Sequence, residues 1–165
     1  IHGQFMRPDQ MPKAKDLGAV VSFFTAHTWY WGDVHVQNFG LERVSRISAA
    51  ASALACGMPF TFHQDAPVIR PDMLETIWCA VNRRTKNGIV LGADQRIPVW
   101  EALKAVTINA AYQYFEEDQK GSITPGKRAD FVILSENPLE VSADRIRKLR
   151  ILETVKDGER IFHQE

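Results

Sequence analysis

The sequence has only two cysteines in 165 residues, Cys56 and Cys79. That excludes a disulfide-stapled scaffold and a CxxC metal ribbon. It has no net charge, because 20 basic and 20 acidic side chains cancel. No field of one sign therefore calls for nucleic acid or an anionic membrane surface as a partner. It has no apolar run near the ~20 residues of a membrane-spanning helix, no internal repeat and no low-complexity tract. The chain is also too short for a complete eight-fold β/α barrel, which needs about 250 residues. What is present is 45% hydrophobic and 24% charged residues, the composition of a folded globule. A small molecule is the expected partner and the cytoplasm the expected location; no signal-peptide pattern follows Ile1.

The first two thirds alternate strand and helix. Residues 7–17 carry Pro8 and then Met11, Ala14 and Leu17 at helical spacing, with Gly18 as a stop. Residues 19–24 (AVVSFF) form a continuous apolar run of strand length, as in a strand covered on both faces. Residues 25–40 read as a long loop with aromatics and histidines. Residues 47–56 read as a helix closed by Gly57, residues 59–63 (PFTFH) as a strand and residues 64–71 as a loop. Helices are predicted over 73–84, with Leu74, Ile77, Trp78 and Val81 on one face, and over 99–114. The last third holds short strands at 130–134, 151–156 and 160–162, the last two joined by an Asp157-Gly158 hairpin turn. A short helix over 142–149 takes Ser142 as its candidate N-cap. Strand-helix alternation implies parallel strands with right-handed crossovers. Function in such sheets sits at the carboxyl ends of the strands.

Three of the five histidines fall just past a strand. His2 follows Ile1, His27 follows the 19–24 run, and His63 ends PFTFH, two residues before Asp65. Residues i and i+2 of an extended segment share a face, so His63 and Asp65 point into one site. Imidazoles and a carboxylate at a barrel mouth suit a hydrolytic metal. Bland readings stand beside this one. A single histidine near a strand is more often a hydrogen-bonded structural residue, and Asp65 before Ala66-Pro67 also suits a turn. Trp29, Tyr30 and Trp31 line a pocket or cover the rim. Phe60 and Phe62 read as core, and His35 and His163 as solvated residues.

These segments resemble a known family. The run GSITPGKRADFVIL over 121–134 is similar to the C-terminal signature of the amidohydrolase superfamily. There it returns the chain into a small β-sandwich beside the barrel. Residues 100–112 (WEALKAVTINAAY) resemble the preceding helix, 62–68 (FHQDAPV) a D-A-P strand end, and 1–4 (IHGQ) an E-H-A-Q strand end. Together they resemble the metal-dependent hydrolases of amidohydrolase family 3, the YtcJ-like group. The resemblance implies an α/β fold: the C-terminal part of a (β/α)8 TIM-like barrel, about strands 6–8, over residues 1–120. Part of a small β-sandwich would follow over 121–165.

Carried over, His2 ligates metal at the end of strand six. Asp65 at the end of strand eight ligates metal and shuttles the proton of the attacking water, as the catalytic residue. His27, His63 and Trp31 are implied as substrate-binding residues. His63-Gln64 departs from the small Gly-Ser that relatives carry there. The implied cofactor is zinc, as one or two divalent ions. The implied reaction is hydrolysis of a non-peptide amide, N-acyl or cyclic amide C–N bond. No H-x-H pair occurs, His35 standing between Val34 and Val36, so strands one to five and their ligands are expected in an N-terminal barrel portion of the same protein. The chain alone is then expected to be inactive and to associate with that portion or with itself, through unpaired strand edges. The alternative is a non-catalytic regulatory or binding protein on a decayed amidohydrolase fold, resembling regulators of exoenzyme production.

Overall fold

A computed structural model describes residues 1–164; Glu165, the last residue of the expected second segment, lies outside the described residues. Two strands, β1 (Val21–Phe23) and β2 (Phe60–Phe62), pair in parallel with Val21 opposite Phe60 and Phe23 opposite Phe62. The start of the chain lies alongside them, because His2 bridges Phe23 in the parallel sense. Gly3 permits this approach. A Cβ there would stand 2.6 Å from Val21 Cγ1 and 2.9 Å from Phe23 Cε1, and its φ is +52°. Only glycine suits both conditions.

Around the pair lie α1 (Met11–Asp16), α2 (His27–Tyr30), α3 (Gly32–Phe39), α4 (Leu41–Val44) and α5 (Ala50–Ala55). They are followed by α6 (Met73–Asn82), α7 (Val99–Ala105) and α8 (Ile108–Gln113). The core forms where Phe23, Phe24, Phe60 and Phe62 meet Met11, Ala53, Ile77, Trp78 and Ala102. The expectation of core phenylalanines in PFTFH holds, and Thr61 is buried with them. Helix α6 is the best specified. Asp72 caps it by accepting from the Glu75 amide at 3.0 Å, and Leu74, Ile77 and Trp78 are buried at i, i+3, i+4 spacing. It ends at Arg83, whose φ of 52° is left-handed.

The Arg83 side chain is fully buried and donates to the carbonyls of Leu91, Ser48, Ser45 and Ile47. Burial lowers its pKa to about 10, so it is charged at neutral pH. One cation thus satisfies four chain carbonyls and ties α6 to the turns after α4 and before Gly92.

The C-terminal strands β3 (Phe131–Leu134), β4 (Ile151–Lys156) and β5 (Glu159–His163) form an antiparallel sheet in that order. Asp157 and Gly158 both take positive φ in the β4–β5 turn, as the sequence predicts.

Three expectations require correction. Residues 25–40 are not a loop: α2 and α3 occupy them, held by Tyr30 N–H to Ala26 O at 2.9 Å and His35 N–H to Trp31 O at 2.8 Å. The stretch lacks a continuous apolar stripe because its inner face carries His27, Trp31 and His35. The helix predicted over 99–114 breaks between α7 and α8. Val106, Thr107 and Ile108 are consecutive β-branched residues, and the Thr107 hydroxyl donates back to Leu103 O at 2.7 Å. Ser142 makes no side-chain cap; the following turn, Ala143–Lys148, is a 3₁₀ helix. Among the described residues, no helix is long and apolar enough to cross a membrane.

Candidate metal centre

The parallel segments bring their carboxyl ends to one place. His2, His63 and Asp65 each offer a ligand atom within 4.8 Å of the other two. His2 Nε2 lies 3.2 Å from Asp65 Oδ2, without hydrogen-bond geometry. The His2 and His63 rings stack at 5.0 Å between centroids, over the buried ring of Phe24 at 5.9 and 5.4 Å. His2 and Asp65 both adopt left-handed φ, 63° and 53°. Such conformations are uncommon outside glycine and concentrate at functional sites.

Each side chain is held from behind. His63 Nδ1 is 2.9 Å from Ser22 Oγ on β1, and the His63 amide donates to Phe23 O. Between His63 and Asp65, buried Gln64 turns the other way and donates to Thr76 Oγ1 of α6 at 2.7 Å. The expectation that His63 and Asp65 face one site therefore holds, and Gln64 anchors the strand end to the core. Both line an open cavity of about 490 Å³ with Ile1, Ser22 and Tyr114.

His27 and Trp31 flank the cluster. The His27 ring is 5.6 Å from His2, 5.7 Å from Trp31 and 4.5 Å from Phe24. His35, expected to be solvated, is half-buried on α3, 5.9 Å from His27, with Nδ1 3.3 Å from Gln4 Nε2. The regular spacing of four in His27, Trp31 and His35 is the signal that would have found it. His163, also expected to be solvated, is exposed on β5 beside Glu153.

Burial lowers the pKa of His27 to about 4, helped by the nearby His35 and His2. Burial likewise lowers His63 to about 4, with His2 adding to the effect, and lowers His35. Both His27 and His63 are neutral at pH 7, the form that binds metal. Cys79 is buried in α6, and burial raises its pKa, so it is no nucleophile.

The cluster fits a divalent ion on its own chemistry. It presents two imidazoles and a carboxylate, a donor set used by zinc. Two imidazole nitrogens, His2 Nε2 and His63 Nε2, are buried without a hydrogen-bond partner. Buried polar atoms are rarely left so.

A model of the amidohydrolase family matches residues 1–162. The chain belongs to that family. It is 28% identical to N-substituted formamide deformylase of Arthrobacter pascens over 95% of this chain and 29% of that protein. It is also 28% identical to the YtcJ protein of Bacillus subtilis (strain 168), over 99% of this chain and 32% of that one. Among solved structures, it is similar to an uncharacterized metal-dependent hydrolase from Pyrococcus horikoshii OT3. That match has a TM-score of 0.74 and 27% identity, over 86% of this chain and 29% of that chain. The chain thus spans about a third of the length of these relatives, and its fold is an α/β segment of the kind these hydrolases contain.

Proposed function

We propose that this chain carries the closing barrel strands of a metal-dependent amidohydrolase, about strands six to eight, over residues 1–120. The C-terminal sheet belongs to its small β-sandwich. The observation that carries the reading is the meeting of His2, His63 and Asp65 at the carboxyl ends of parallel segments. His2 and Asp65 hold the ion, which we take to be zinc. When bound, the metal supplies a Lewis acid that lowers the pKa of a water molecule towards neutrality.

The chain's own residues do the rest. Asp65 takes a proton from the attacking water and returns it to the leaving nitrogen. His27, neutral and half-buried beside His2, contacts the substrate in this reading. Trp31, with its ring 5.7 Å from that of His27, is the second substrate contact in this reading. The substrate is a small molecule with a non-peptide C–N bond: an amide, N-acyl or cyclic amide. The relative named for N-substituted formamides makes these the first compounds to try. The remaining barrel strands complete the pocket, and the chain by itself is inactive.

The test is metal content by mass spectrometry for the wild type, His2→Ala and Asp65→Ala. Activity on N-substituted formamides is measured in the protein with its full barrel. The reading expects bound zinc in the wild type and loss in both variants. Activity should fall by at least about 100-fold in Asp65→Asn, the low end for loss of a general acid–base group. A metal-free wild type would leave a binding or regulatory protein as the better reading. Hydrolysis by the metal-loaded 165-residue chain would overturn its inactivity alone.

A further inference from the structure

We propose that the cavity between residues 5–9 and 39–46 binds an organic monocarboxylate with an apolar body, and that Arg43 holds its carboxylate. The cavity is about 660 Å³ and shares no lining residue with the one beside His63, so it is a second site. Phe5, Phe39 and Leu41 give it apolar walls, and Arg7, Arg43 and Arg46 line it with them. The three arginines differ. Arg7 donates to both oxygens of Asp9, at 2.9 and 3.0 Å. Arg46 lies 3.8 Å from Glu42, one helical turn away. Arg43 has no ion pair among the described residues. Its guanidinium lies 5.2 Å over the Phe5 ring and 5.7 Å over the Phe39 ring.

The fold fixes that guanidinium in place. Val44, next to it, is fully buried with Ile47 and Leu91, and Phe5 packs against this group. Buried Arg83 holds the Ser45 and Ile47 carbonyls just after α4. The α4 backbone is thus anchored from within, while Arg43 itself is exposed. A guanidinium resting on ring faces keeps its in-plane N–H donors for an acceptor, and their fork matches a carboxylate. Arg7, Arg43 and Arg46 against Asp9 and Glu42 leave one net positive charge in the walls, the complement of a monoanion. A phosphate dianion would meet two fixed carboxylates and one free cation. The Phe5 and Phe39 rings, 5.2 Å apart, offer an apolar body its surface.

Benzoate is the probe, titrated by calorimetry into the metal-free protein with its full barrel. Benzamide serves as its neutral isostere and inorganic phosphate as the more highly charged anion. Benzoate is expected to bind at least about 10-fold more tightly than either. Arg43→Gln should weaken it at least about 10-fold, the low end for losing a hydrogen bond to a charged group. Arg43→Lys, which keeps the charge without the fork, should fall between. His2→Ala should leave benzoate affinity unchanged. Circular dichroism checks that each variant is folded, and if Arg43→Gln unfolds, Arg43→Lys decides. Full affinity in Arg43→Gln overturns the site. Loss of affinity in His2→Ala puts the anion at the metal cluster and overturns it too. Phosphate bound as tightly as benzoate overturns the ligand class. No benzoate binding, as when another part of the protein neutralises Arg43, overturns the whole proposal. None of these outcomes bears on the hydrolase reading.

Discussion

The strands of the parallel half and those of the antiparallel sheet both carry large apolar residues, in opposite surroundings. Strand β2, Phe-Thr-Phe, is buried at all three positions, whereas β5, with Ile161 and Phe162, is exposed at all five. Helices α5, α7 and α8 pack onto β2; β3, β4 and β5 pair mainly with one another. The buried apolar residues described after position 120 are Ile146 and Leu149. They lie in or beside the 3₁₀ turn that clasps α6, where Asn82 Nδ2 donates to Ala143 O and the Arg147 guanidinium sits 4.0 Å over the Trp78 ring. A site needs side chains locked by packing and by partners behind them. Every member of the cluster, and every group that orients it, comes from the covered half.

That contrast can be broken or sharpened by experiment. The largest effect is expected in the covered half. Trp78→Ala removes a ring that is 2% exposed and should cost about 3–5 kcal/mol in chemical denaturation. A cost near zero would mean that the α6 contacts do not hold the core together.

Acid should act next, and through the same half. The ordinary histidine value is 6.5, and His27 and His63 stand at about 4 in the folded chain. The unfolded chain therefore takes up protons first as pH falls. Stability is full above about 6.5 and is lost progressively down to about 4. Denaturant midpoints measured across that range without metal should fall, and His27→Asn should flatten the slope. A pH-independent midpoint would show that these rings are solvated.

The smallest effect belongs to the open sheet. Ile161→Thr, at a residue 62% exposed, should stay within about 0.5 kcal/mol. A loss comparable to Trp78→Ala would mean that the sheet is covered in solution.

Much of this is legible in the residues, and the misses have separate causes. The 19–24 run, PFTFH, the α6 stripe and the Asp157-Gly158 turn are local signals, and each forms where it is expected. The break at Thr107 was also local, but a strong apolar period on both sides concealed it. Helices α2 and α3 resemble a loop in sequence because their inward face is polar and aromatic rather than aliphatic. His35 was lost with them, since a histidine is recognisable as part of a site only when its neighbours in space are known.

Chain order and residue type alone determined that parallel strands end in His2, His63 and Asp65, because strand length, i, i+2 spacing and the D-A-P and GSITPGK motifs are written along the chain. Tertiary structure alone decided that these three meet, that Ser22 backs His63 and that His27 packs against His2. The relations between these segments join residues 25 to 63 positions apart, and only the parallel pairing of β1, β2 and the Gly3 approach brings them into contact. The same packing sets the charge state of the histidines, because desolvation comes from whatever covers a ring, not from its neighbours in sequence.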